Sequence, residues 1–331
     1  MVKKAKNIAI QSLKIAFSIA IIYWLVQSGK LNFAALRNLL SPGIAAIAFT
    51  LIGANLFLTS ERWRMLLKSQ GLSPKVLPAF KLSLIGIFFN FAMPGGVGGD
   101  VIKAYYFTRD NPGSKVVAIT SVLMDRVLGL FSMILMALLV MIYDLEHISH
   151  EPTLKTLFWF ILGLFLAFAL GLAVVFSRKL YDNGLIKKII HKLPLAEKFM
   201  KLYESMHLYG NHGPRILGVI LISLLAQTFT ILFLYAAGTA AGFPDVPLKT
   251  YFLVAPLGFM ATAIPISPAG VGVGQAAFYF LFNLYLGKSS DIGPTTITAF
   301  QVCSFIFSLS GAYFYMRYKQ PSDITKAEEM A

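Results

Sequence analysis

Six apolar stretches, each about long enough to cross a hydrocarbon layer as a helix, dominate this 331-residue chain. They run over about Ile8–Gln27, Gly43–Ser60, Val116–Tyr143, Thr156–Ser177, Ile216–Gly242 and Pro294–Met316. A spanning helix needs roughly 20 apolar residues, and lipid admits only helices or closed barrels, because it cannot hydrogen-bond an exposed backbone. A composition of 57% hydrophobic and 13% charged residues lies outside the soluble range. The expectation is an all-α polytopic membrane protein.

Two further apolar segments, Phe80–Arg109 and Thr250–Leu286, are interrupted by related pentapeptides. Pro94-Gly95-Gly96-Val97-Gly98 runs on into Gly99, and Pro268-Ala269-Gly270-Val271-Gly272 runs on to Gly274. Proline and glycine break a helix and free backbone groups, which survive at membrane depth only if protein buries them or a wet cavity receives them. Matching breaks in two halves of a chain point to a transporter's binding site.

Charge sets the topology. Only Lys30, Arg37, Lys155, Lys249 and Lys288 fall opposite the termini, with Lys14 and Arg126 inside spans, so the net charge of +14 obeys the positive-inside rule with both termini inside. A nucleic-acid partner is not expected. Lys3, Lys4 and Lys6 resemble a signal-peptide start, but no small-residue cleavage site follows, so a retained first helix is expected. The first break has basic flanks (Lys75, Lys81, Arg109, Lys115) and should dip in from the inside. The second has nearly neutral flanks (Asp245, Lys249, Lys288, Asp291) and should dip in from the outside.

The fold expected is six full spans plus two re-entrant hairpins, N-in and C-in, in one transmembrane domain over residues 1–320. Pseudo-repeats of about 1–143 and 151–317 would be related by inversion, with a flexible tail over 321–331. One kinked span at each break, eight spans without inversion, is the alternative. The basic amphipathic loop 178–215 would face the cytoplasm and meet anionic membrane lipids. Cys303 lies inside a span and His147 and His150 lack further ligands, so neither a disulfide nor a metal site is expected.

Asp125 and Arg126 stand in the third span, ~14 Å from its start. A charge at that depth costs at least ~2.5–3.5 kcal/mol unless it is paired or faces a polar cavity. A functional site and an ion pair locking helices together are both open readings. Asp100 and Lys103, three apart after the first break, share a helix face, where Asp100 can cap the helix start and Lys103 with Arg126 can receive a phosphate. The second break offers only Gln275, which can hydrogen-bond a head group. Gln227 and Gln301 read as packing. Glu61-Arg62-Trp63-Arg64 closes the second span at the inner surface, with Trp63 an interface anchor and Arg62 and Arg64 placed to snorkel or catch lipid phosphates. No nucleotide-binding, metal or nucleophile motif accompanies these residues, so no cofactor and no enzymatic activity are expected.

In Glu61-Arg62-Trp63, Pro94 to Asp100 with Lys103, Ser121 to Leu130 around Asp125-Arg126, and Pro265 to Gln275, the sequence resembles the lysylphosphatidylglycerol synthase-type transmembrane family of flippase-like integral membrane proteins. The resemblance covers nearly the whole chain. It implies a multi-pass protein of a bacterial or archaeal inner (plasma) membrane that moves a phospholipid or lipid-linked head group between leaflets. Members that aminoacylate lipid carry a further membrane portion and a soluble transferase domain, so synthase activity is not implied for these residues. Gln275 stands where the family pattern leads one to expect glutamate. The resulting expectation is a lipid translocator whose anionic head group sits between the hairpin tips, near Asp100, Lys103, Asp125, Arg126, Gln275 and Arg62. A non-transporting scaffold for a lipid-modifying enzyme or glycosyltransferase, and a small-solute or ion transporter, are the alternatives.

Overall fold

The computed structural model describes residue 23 and residues 41–92, 98–191, 196–264 and 267–318. Apart from Tyr23, the expected first span lies outside the described residues, as do Pro94, Gly95, Gly96 and the tail. Among the described residues every regular element is helical: α1 (Pro42–Ser69), α2 (Val76–Ala92), α3 (Gly98–Asp110), α4 (Lys115–Tyr143), α5 (Leu145–His150), α6 (Pro152–Phe176), α7 (Arg178–Asp182), α8 (Leu185–Ile190), α9 (Ala196–His207), α10 (Gly213–Ala240), α11 (Leu248–Ala263), α12 (Val273–Leu286) and α13 (Ile292–Met316). Five of these helices, α1, α4, α6, α10 and α13, are long and apolar enough to cross a membrane. They coincide with the five expected spans that fall within the described residues. The chain is a multi-pass membrane protein.

Local chemistry sets the starts of these spans. Proline occupies the first turn of α1, α6 and α10, where its missing N–H has no intrahelical partner to lose. The largest difference from expectation is at the end of α1, which continues past Ser60 to Ser69. That extension packs within the protein, where Trp63, Leu66 and Leu67 are fully buried. Trp63 is therefore a core residue and not an interface anchor.

The helices beside the two breaks are too short to cross alone. α2 and α3 have 17 and 13 residues, or ~26 and ~20 Å, against a hydrocarbon layer of ~30 Å. They fold back on one another. Gly99, at the start of α3, lies on the backbone of Gly86, while Phe107 near its end shares a core with Ala79 and Leu82 near the start of α2. A Cβ on Gly99 would stand 1.9 Å from the Gly86 carbonyl oxygen, so glycine sets the approach of the two arms. Asn90 Oδ1 accepts the Gly99 N–H at 2.9 Å and satisfies one donor of the new helix start. Gly98 and Gly99 thus belong to the first turn of α3 and not to the break itself.

α11 and α12 pair in the same sense. Tyr251 stacks edge-on against Phe282, Phe259 against Phe278, and Thr262 meets Gly270 and Gly274. Between them Ala269 takes φ 49° and Gly272 φ 84°, and Gln275 Oε1 accepts the Gly272 N–H at 2.7 Å to start α12. The Pro268–Gly270 turn packs against α2.

The halves interlock. α1 packs on α10, α2 on α13, and α11 on α4, so the first arm of each pair lies on the last span of the other half. Polar ties hold the two ends. At one end Asp144 accepts from Lys249 Nζ at 2.9 Å and from the Tyr285 hydroxyl, while His147 Nε2 meets the Tyr285 carbonyl at 3.1 Å. At the other end the Tyr318 hydroxyl donates to Asp110. Burial alone would raise the Asp144 carboxyl, but the hydrogen bonds from Tyr285 and Lys249 and the Lys249 charge hold it below the ordinary carboxylate range.

Gly99→Ala should lower the thermal unfolding midpoint in detergent by the equivalent of about 2–3 kcal/mol, because a carbonyl oxygen cannot yield as a side chain can. Gly163→Ala, on α6 with open space around the site, should be neutral or slightly stabilising. For Asp144, a depressed folded pKa means stability present above the unfolded value of ~3.9 and lost as pH falls through the folded value. The gap in midpoint between the native chain and Asp144→Asn should therefore be widest near neutral pH and close below about pH 4.

Candidate functional site

Three helices bring charged groups into one cluster, and a fourth adds a hydroxyl. Arg62 on α1 donates from Nε and Nη2 to the two carboxylate oxygens of Asp125 on α4, at 2.8 and 3.0 Å. Its Nη1 reaches Ser223 Oγ on α10 at 3.3 Å. Both ion-pair side chains are nearly buried, 13% and 16% exposed. One turn beyond Asp125, Gly129 leaves room for the guanidinium, since a Cβ there would stand 3.0 Å from Nη1. Arg62 and Asp125 lie ~10 and ~15 Å along their helices from the ends on one side, well within a hydrocarbon layer.

Arg126 turns the other way and pairs with Asp100 at the start of α3. This second pair is more open, with Arg126 47% and Asp100 21% exposed. Asp125 and Arg126 are adjacent in sequence but serve separate bridges, because consecutive helical residues do not face each other. The first bridge ties α4 to α1, and the second ties α4 to α3.

Lys103 lies between the two. It is buried, and its ammonium stands 3.9 Å over the Trp63 ring. Trp63 is held in turn by its Nε1 donating to Ser121 Oγ at 3.0 Å and by an edge contact with Phe107. Among the described residues no carboxylate lies within ion-pair distance of Lys103, although Asp100, Asp125, Arg62 and Arg126 all act on it electrostatically. Three cations and two carboxylates leave one positive charge in excess. Chemically, the cluster can accept one anion.

The remaining expected site residue lies apart. Gln275 is buried and donates to Gln301 Oε1 at 2.6 Å and Thr298 Oγ1 at 3.0 Å, while its oxygen caps α12. These bonds engage both ends of its amide, and Gln301, read as packing, supplies part of them. Arg64 is engaged by Glu61 on the same turn and does not snorkel. The sequence gives no role to three participants: Ser223, and Ser121 and Gly129 within the Ser121 to Leu130 segment. Only Gly129 carried a signal, at four residues from Asp125.

Removal of either arginine should separate the two bridges. Arg62→Ala leaves Asp125 buried and unpaired and should cost about 3–5 kcal/mol. Arg126→Ala, in a half-exposed bridge, should cost about 1 kcal/mol or less. Arg62→Lys should recover little, because one ammonium cannot replace the fork that spans Asp125 and Ser223. Thermal unfolding of the three variants in one detergent checks the order.

The comparisons with known proteins agree with this architecture. Residues 11–311 match the family described as the lysylphosphatidylglycerol synthase TM region, and the chain belongs to that family. A UPF0104 membrane protein of Methanocaldococcus jannaschii is 22% identical over 264 residues, covering 74% of this chain and 76% of the relative. A UPF0104 membrane protein of Methanothermobacter thermautotrophicus is 22% identical over 318 residues, covering 85% and 90% respectively. No solved structure matches the chain.

Proposed function

We propose that this member of the lysylphosphatidylglycerol synthase TM-region family moves a lipid with an anionic head group between the leaflets of a plasma membrane. The observation that carries the reading is Lys103: a buried cation held over Trp63, in a cluster whose other four charges are paired with each other. Placing an unanswered cation in hydrocarbon is costly, and an anionic head group arriving there offsets that cost. The acyl chains would stay in lipid.

The two bridges divide the work in this scheme. Arg62–Asp125 is forked and enclosed, and holds α1, α4 and α10 in register. Asp100–Arg126 is open enough to exchange partners, so Arg126 can leave its carboxylate for a phosphate while Asp100 remains in the first turn of α3, where a negative charge suits the helix start. We further propose six spans, N-in and C-in, with α2–α3 and α11–α12 as re-entrant hairpins entering from opposite faces. Support comes from the shortness of those helices, from their ties to opposite ends of the bundle, and from contacts that repeat when the two halves are exchanged. Movement of one half against the other would then expose the head group to each side in turn.

Reconstituted vesicles loaded with a fluorescent anionic phospholipid provide the test, with leaflet sidedness read by a membrane-impermeant quencher. Lys103→Met should fold at least as stably as the native chain, because it removes a desolvated charge and keeps the stem that covers Trp63. It should nevertheless lose most of the lipid exchange. Undiminished exchange by that variant would overturn the site. Absence of exchange by the native chain, with an enzyme co-purifying, would favour a scaffold.

A further inference from the structure

At the open end of the α2–α3 pair a cleft of about 450 Å³ is lined by Lys81, Arg109, Asp110, Tyr313, Phe314, Arg317 and Tyr318. Its three cations come from separate parts of the fold: Lys81 from α2, Arg109 from α3, and Arg317 from the end of α13. Each is steadied by an aromatic face. Lys81 Nζ lies 5.5 Å from the Phe314 centroid and Arg317 4.6 Å from that of Tyr313, while Arg109 lies 4.8 Å from both Tyr106 and Tyr318. Among the described lining residues the single carboxylate, Asp110, is engaged by the Tyr318 hydroxyl and by Arg109 Nε at 3.4 Å. The cleft therefore carries two positive charges in excess.

We propose that this cleft is a second anion site, distinct from the buried cluster, that binds a phosphate group at the membrane surface. Aromatic stacking holds the guanidinium planes without consuming their donors, which leaves N–H groups for phosphate oxygens. Tyrosine and phenylalanine beside cations also suit the interface itself, where a lipid presents its phosphate and keeps its chains in hydrocarbon. The volume suits a phosphomonoester with its glycerol. α3 then runs from this cleft, at Arg109, to Lys103 and Asp100 in the buried cluster. The binding proposed does not rest on translocation and is measured at equilibrium.

The test uses the full chain purified in a neutral detergent, with dioctanoyl phosphatidic acid and inorganic phosphate as separate probes and dioctanoylglycerol as the uncharged control. Isothermal titration should show saturable binding of phosphatidic acid that weakens with salt and about tenfold or greater loss in Lys81→Gln/Arg317→Gln. Lys75→Gln/Lys115→Gln, which removes the same charge outside the cleft, should bind as the native chain does. If inorganic phosphate binds as tightly and competes, the ligand is the free anion. If phosphatidic acid alone binds, it is the lipid head group; either result supports the site. Should the double variant unfold, Arg317→Gln alone, at an exposed position, carries the test. Lack of binding by both anions, equal binding by dioctanoylglycerol, or equal loss in the control pair would overturn the proposal.

Discussion

A guanidinium in hydrocarbon has to be met by a carboxylate in fixed geometry, and the fork from Arg62 to Asp125 meets that condition in this molecule. Once made, it fixes much else. It sets α1 against α4, draws Ser223 of α10 to the spare nitrogen, and lies close over Gly129, which leaves room for the guanidinium on its partner helix. With Asp125 occupied, Arg126 is left to find Asp100, which holds the start of α3 against α4. Among the described residues Lys103 remains without a carboxylate of its own. The unevenness of the cluster is thus a result of its pairing pattern and not of one unusual residue.

The same order explains why the two Gly-rich turns differ. In the first pair of short helices the polar residues after the break are charged: Asp100 is drawn into a bridge with α4, and Lys103 is held over Trp63 of α1. In the second, Gln275 turns inward to its own helix start and to α13, through Thr298 and Gln301. A neutral amide has enough donors and acceptors to be satisfied locally. It exerts no long-range pull on an anion. The second pair is built as a packed wall, in which Phe278, Phe282 and Tyr251 share a core with α1, α10 and α13.

Much of this was legible in the sequence. Hydropathy is a local property, so the spans of α4, α6, α10 and α13 were foreseen to within a few residues, and the position of both breaks followed from proline and glycine. Partnership is not local. Nothing in Asp125-Arg126 says that one faces α1 and the other α3, and Arg62 with Trp63 looked like the rim of a helix whose polar end promised solvent. Those residues are buried because α3, α4 and α10 surround them, a fact that exists only after assembly. Small residues were the faintest signal: Ser121, Ser223 and Gly129 matter through what they permit a larger neighbour to do.

The backbone contact of Gly86 with Gly99 also bears on how such a molecule can move. With no side chain between them, the arms cannot be parted by a rotamer change, and Asn90 bonds one directly to the other. α2 and α3 must then travel as one body. Any hinge lies outside them, in the short links to α1 and α4, and the sliding surfaces are their contacts with α4, α1 and α13. Across the first of those surfaces runs the open bridge from Asp100 to Arg126, whose two halves would part whenever the body shifts, so that the cost of motion falls on the more solvent-accessible of the cluster's two bridges.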